Sequence, residues 1–159
     1  MPTLQLKDGT ALIESMAIIE YLDEVHPQPK LFPGSAVQRA QIRGFCEIVN
    51  SGIHPYQNIR LLDKIEADFK ADKMAFAKYF VFRGLDTMEK MLARSSKKYC
   101  FGDELTAADV FLYPQALASV NRFGAVLSNY QNIDRVMTSL KKIPEFVQAE
   151  PQNQQDFEK

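Results

Sequence analysis

The sequence predicts a mostly α protein, in which an all-α domain over residues 35–150 follows a short β-β-α segment over residues 1–26. Three observations carry that prediction. Apolar residues recur at helical spacing through most of the chain, while strand-like alternation is confined to the first thirteen residues. Pro27, Pro29 and Pro33 crowd the stretch from His26 to Gly34, forbidding a helix there and favouring an extended connector between two domains. The stretch GDELTAADVFLYPQALASVNRF, from Gly102 to Phe123, promises a helix that is apolar around most of its circumference, which belongs at the centre of a bundle.

The β-β-α segment opens with Thr3-Leu4-Gln5-Leu6, which alternates as a half-buried strand does. Asp8-Gly9 is a strong turn signal, and Ala11-Leu12-Ile13 returns as the antiparallel partner. Ser15 then precedes Met16, Ile19, Leu22 and Val25 at helical spacing, so Ser15 is read as the N-cap. Beyond the connector, Ser35 caps a helix carrying Val37, Phe45, Ile48 and Val49, which weakens at Ser51-Gly52 and bends at Pro55. A further helix is expected from about Tyr56 through Phe69. Asp72 caps the next, which turns Ala77, Phe80, Val81, Met88, Met91 and Leu92 toward the core. Ser95 to Lys98 is a polar break, and Tyr99-Cys100-Phe101 a buried plug ahead of the central helix.

That helix starts at Thr106. Asp109 stands three residues on, the spacing of a capping box, and Leu105 can staple onto Val110. Pro114 lies inside it, deleting the bond to the Val110 carbonyl. Asn132 and Pro144 mark two last short helices, with Pro144 at a first-turn position. The tail over residues 151–159 is polar and expected to be loose.

Composition excludes several classes. At 159 residues and 46% hydrophobic, the chain can build one real core. A net charge of −1 gives no reason to expect nucleic acid or an anionic membrane as partner. Cys46 and Cys100 lack metal-like spacing and read as reduced structural thiols; no metal site is expected. No apolar run approaches the ~20 residues of a membrane span, and Met1-Pro2 does not open a signal peptide. The expected location is the cytoplasm, with the mitochondrion left open because a targeting segment would lie upstream.

The run G-D-x-x-T-x-A-D from Gly102 to Asp109 resembles the capping motif in the helical domain of glutathione transferases. Its continuation PQALASVNRF is similar to the zeta class, the maleylacetoacetate isomerases. MPTLQLKDGTALIESMAIIEYLDE resembles the second half of a thioredoxin-like glutathione-binding domain, and GIHPYQNIRLL resembles a zeta-class stretch that reaches glutathione. The resemblance implies a cis Pro2 whose preceding residue, Met1, offers its backbone to the cysteinyl part of glutathione. It also implies glutathione contacts from Glu14, Ser15, His54, Asn58, Ile59 and Arg60, a substrate carboxylate held by Arg122, and purely structural roles for Thr106 and Asp109. The chemistry of Glu14 and Ser15 fits such a ligand: a helix N-terminus attracts a carboxylate, and an adjacent acid can pair with the ammonium of the same α-amino acid head. Arg122 offers a guanidinium fork suited to a dicarboxylate. Taken as residues alone, Ser15 is also an ordinary helix cap and Arg122 an ordinary cation near a helix end.

The function implied is glutathione-dependent cis–trans isomerisation of maleylacetoacetate to fumarylacetoacetate, in phenylalanine and tyrosine breakdown, by a homodimer whose cofactor is glutathione and whose substrate is a small dicarboxylate. The family places a serine-rich motif that activates the glutathione thiol before the point where this sequence starts. No Ser-Ser-Cys run occurs here, so no catalytic residue can be assigned, and isomerase activity of these 159 residues by themselves is expected to be weak or absent. The alternative is a non-catalytic helical interaction module of the same ancestry.

Overall fold

The computed structural model describes residues 2–155 and residue 157. A two-stranded antiparallel hairpin comes first, strand β1 (Thr3–Gln5) pairing with β2 (Ala11–Ile13) in the register Thr3 to Ile13, Leu4 to Leu12 and Gln5 to Ala11. Leu6 closes the loop instead of extending the strand, its amide donating to the Thr10 carbonyl at 2.8 Å. Seven α-helices follow among the described residues: α1 (Ser15–Val25), α2 (Ala36–Asn50), α3 (Ile59–Phe69), α4 (Lys73–Ser95), α5 (Ala107–Phe123), α6 (Gln131–Leu140) and α7 (Pro144–Gln148).

Two expectations need correction. Ser15 is the first residue of α1 and not its cap; Glu14 occupies the cap position with φ 72° and ψ 124° and makes no side-chain capping bond. The tight passage from β2 into α1 forces that left-handed backbone onto a residue with a Cβ, a conformation that costs on the order of 1 kcal/mol or more. The helix expected from Tyr56 to Phe69 is instead a 3-10 turn, His54–Gln57, followed by α3. Asn58 separates them because it caps α3, its Oδ1 accepting the Arg60 amide at 3.0 Å. The Met1 assignment, and with it the Met1–Pro2 bond, lies outside the described residues.

The other caps form as their residue types dictate. Ser35 and Gln38 make a reciprocal capping box on α2, and Asp72 accepts the Met74 and Ala75 amides at 2.9 and 3.0 Å. Thr106 and Asp109 make the box on α5. There the carboxylate is the hub: Oδ2 accepts the Thr106 amide at 2.9 Å and its hydroxyl at 3.0 Å, while Oδ1 accepts the Cys100 amide at 2.8 Å. Asp109 thus ties the Tyr99–Phe101 plug to the helix start in the middle of the core, where both Thr106 and Asp109 are fully buried. Burial raises the Asp109 pKa above the usual carboxylate range, against the hydrogen bonds from Cys100 and Thr106 that pull it down.

Helix α5 runs unbroken through Pro114 and packs chiefly on α2, with α4 and α6 completing the bundle. Phe45, Val81, Leu85, Met88, Leu112, Phe123 and Ile133 fill its interior. Gly84 on α4 permits one close approach: a Cβ there would lie 2.2 Å from Cδ1 of the buried Ile53, the residue just before the His54–Gln57 turn.

The hairpin and α1 are fastened to the bundle by polar links. Glu20 of α1 pairs with Arg43 of α2 at 2.5 Å, and the Arg43 guanidinium lies 4.8 Å from the centre of the Phe32 ring. Leu31 in the connector donates its amide to Asp23 of α1 and accepts the amide of Ala107 at the start of α5 at 2.9 Å. The connector is thereby hydrogen-bonded on both sides. No described helix is long and apolar enough to cross a membrane.

Candidate active site

The first residues of α1, the C-terminal end of α2, the His54–Gln57 turn and one face of α5 enclose a cavity of about 330 Å3. Ser15, His54 and Arg122, three of the residues singled out in the sequence, line it together. They come from positions more than a hundred residues apart in the chain, so only the fold can assemble them. Asn50, Gln57 and Gln115 add amides to the wall, and Ile19, Phe111 and Pro114 are among its apolar members. A larger groove of about 860 Å3 between α2 and α4 carries Lys90, Arg94, Asp103 and Glu104, but none of the binding residues expected from the sequence.

Each side chain has a local reason for its place. Ser15 stands in the first turn of α1, where amides without intrahelical partners and the positive end of the helix dipole favour a carboxylate. Glu14, beside it, is held in its strained conformation at the same spot. His54 starts the 3-10 turn and is exposed. Arg122 sits in the last turn of α5, donates from Nη2 to the Gln57 carbonyl at 3.4 Å and lies 5.1 Å from the centre of the Phe123 ring. Pro114 cannot donate to the Val110 carbonyl, and both residues line the cavity, so the bond missing from the helix is on the cavity side.

Asn58, Ile59 and Arg60 are placed differently. They are exposed at the start of α3, one step beyond the turn, and do not line the cavity; the Asn58 carbonyl oxygen is engaged in capping. Asn50 and Gln57 were missed by sequence reasoning. Neither spacing nor residue type distinguishes them there, although Gln57 proves to be 95% buried, which is unusual for an uncapped glutamine. The protein's own thiols are poor candidates for the chemistry: burial pushes the Cys46 pKa up to about 12 and that of Cys100 well above the usual range, leaving both protonated at neutral pH.

Comparison with known proteins shows the family to which the chain belongs. Residues 1–30 match the glutathione S-transferase N-terminal domain family and residues 60–137 the glutathione S-transferase C-terminal domain family. A probable maleylacetoacetate isomerase of Caenorhabditis elegans is 43% identical over 152 residues, covering 94% of this chain and 69% of that protein. The maleylacetoacetate isomerase of Dictyostelium discoideum is 40% identical, covering 99% and 72% respectively. The chain belongs to the maleylacetoacetate isomerase family of glutathione transferases. Among solved structures of this family, the Anaeromyxobacter dehalogenans maleylacetoacetate isomerase superposes with a TM-score of 0.92 at 34% identity, covering all of this chain and 75% of that one. That crystal holds dicarboxyethyl glutathione and citrate in its active site. A maleyl pyruvate isomerase described as a zeta-class bacterial glutathione transferase superposes with a TM-score of 0.91.

Proposed function

We propose that the chain serves glutathione-dependent isomerisation of maleylacetoacetate to fumarylacetoacetate, with the cavity beside Ser15 as its active site. The observation that carries the reading is the meeting of Ser15, His54 and Arg122 around one 330 Å3 space. Their chemistry fits glutathione and a dicarboxylate without a metal or a further cofactor. The first-turn amides and hydroxyl at Ser15 suit the carboxylate of a γ-glutamyl head, and Glu14 suits its ammonium. His54 and the amide of Asn50 offer donors and acceptors further along the wall. Asn58, Ile59 and Arg60, at the exposed start of α3, would meet the ligand only at the cavity's edge. Glutathione, once bound, supplies the thiolate that adds to the cis double bond, so that rotation and elimination release the trans isomer.

Arg122 would hold a carboxylate of the substrate by a forked, charge-assisted contact, fixing one end while the other rotates. Ile19, Phe111 and Pro114 give the wall an apolar stretch beside that contact. Among the described residues Ser15 is the serine that lines the cavity, and the part given to it here is binding and orienting the ligand. A fusion that places a zeta-class first strand, helix and second strand ahead of Pro2 is therefore the informative partner experiment. In an absorbance assay with glutathione, the fusion should isomerise maleylacetoacetate and lose most activity on Ser15→Ala or Arg122→Ala, while the 159-residue chain stays near background. Full activity in both, indifferent to the two substitutions, would remove the site from this place.

The same reading includes a homodimer. Leu22 and Val25 on α1 and Val37 on α2 are exposed apolar side chains that a second subunit could cover. Light scattering should give twice the chain mass; monomer throughout a titration to high concentration excludes it.

A further inference from the structure

We propose that Gln57 and Gln115 are positioning residues for Arg122, acting as a buried amide clamp within the cavity wall; the functional meaning of that clamp rests on the carboxylate-holding role given to Arg122 above. The two glutamines are 5% and 3% exposed, and 58 residues separate them in sequence. Nε2 of Gln57 donates to Oε1 of Gln115 at 3.0 Å, and Nε2 of Gln115 reaches Oε1 of Gln57 at 3.4 Å and Oγ of the buried Ser119 at 3.2 Å. Ser119 in turn donates to the Gln115 carbonyl at 2.7 Å, so every member is anchored to α5.

Such a network does little for stability that an apolar pair could not, since folding only exchanges hydrogen bonds with water for internal ones. Its geometric effect is larger. The turn that carries His54 and Gln57 is a single 3-10 turn, held weakly by its own bonds. The amide pair pins the end of that turn to α5, and the Gln57 carbonyl so placed accepts Arg122 Nη2. The chain of contacts from Ser119 through Gln115 and Gln57 to Arg122 begins and ends on the same helix, one turn apart. A long exposed cation, which would otherwise sample many rotamers, is thereby given a reference point at the cavity wall.

The test separates placement from stability and from ligand recognition. Gln115→Met leaves the Gln57 amide buried without its partner, whereas the double change Gln57→Met with Gln115→Met removes both polar groups at similar volume. NMR relaxation of the Arg122 Nε–H group, identified by its loss in Arg122→Lys, reports order without any ligand. Maleate, titrated without glutathione and followed by amide shifts, reports carboxylate binding. The expected result is a double variant that melts near the parent temperature but shows a mobile Arg122 and binds maleate about tenfold more weakly, the scale of one charge-assisted contact. A double variant with parental Arg122 order overturns the clamp. If Arg122 loosens in the double variant while maleate affinity is unchanged there and in Arg122→Ala, the clamp stands and the carboxylate role of Arg122 falls.

Discussion

Asp109 concentrates more of the fold in one side chain than any other polar residue of the core, because its two oxygens satisfy the amides of Cys100 and Thr106 and the Thr106 hydroxyl at once. Asp109→Ala would strand two buried amides, each worth about 1–3 kcal/mol when unpaired, and urea unfolding should register a loss of that order. The raised pKa of Asp109 sets the sign of its pH dependence. The folded state holds the proton more tightly than the unfolded chain, so this residue's contribution falls as pH rises from its unfolded value near 3.9 through its folded one, and is level above. Unfolding free energies of the parent and of Asp109→Asn, measured across that window, should differ by a term that falls with rising pH in the parent and is missing from the variant. The capping role of this residue was legible from the Thr106 to Asp109 spacing alone. The bond to Cys100 was not, because it depends on a plug folding back over the helix start. Ser15 shows the opposite case: the residue type pointed to a cap, but the tight exit from β2 moved the cap position onto Glu14.

Elements were readable where their ends carry their own signals. Ser35 and Asp72 announce α2 and α4, and Pro144 opens α7. Helix α6, expected at Asn132, begins one residue earlier at Gln131, and Tyr130 at its cap position makes no side-chain bond. Its cap comes from α4: the Glu89 carboxylate accepts the Asn132 amide at 3.0 Å, the Ile133 amide at 3.0 Å and the Asn132 side chain at 2.7 Å. Asn132 marked the helix in the sequence, but a capping partner 43 residues away could not be read there. Glu89→Ala should cost about 1–2 kcal/mol, and hydrogen exchange should quicken first at the amides of Asn132 and Ile133 while α5 remains protected. The split of the segment before Phe69 has a similar cause. Pro55 and Asn58 each favour the start of a helix, and two starts so close together make a short turn followed by a new helix.

At the scale of the whole molecule, the order of elements and the position of the connector follow from periodicity and proline content, but the cavity does not. It forms where Met16 and Ile19 of α1 pack against the core, with the half-exposed Glu20–Arg43 pair and the connector's bonds to Asp23 and Ala107 fixing the approach. Those links bring the first turn of α1 opposite the last turns of α5. Resemblance singled out Ser15, His54 and Arg122 one by one; their convergence belongs to the packing. The same packing leaves Ile13, Leu22 and Val25 between about a third and a half exposed on the hairpin side, an apolar face suited to further protein surface. Gly84 gives this arrangement a remote adjustment. Because Ile53 reaches into the space where its methyl group would be, the wall bearing His54 and Gln57 rests against bare backbone of α4. Gly84→Ala should destabilise the chain by about 1–3 kcal/mol through overpacking and shift the His54 and Gln57 resonances, whereas Gly44→Ala, with open space around it, should do neither. The position of that wall thus depends partly on an absent carbon, on a helix that contributes no residue to the cavity lining, so a change at Gly84 would reshape the space without altering any residue that faces it.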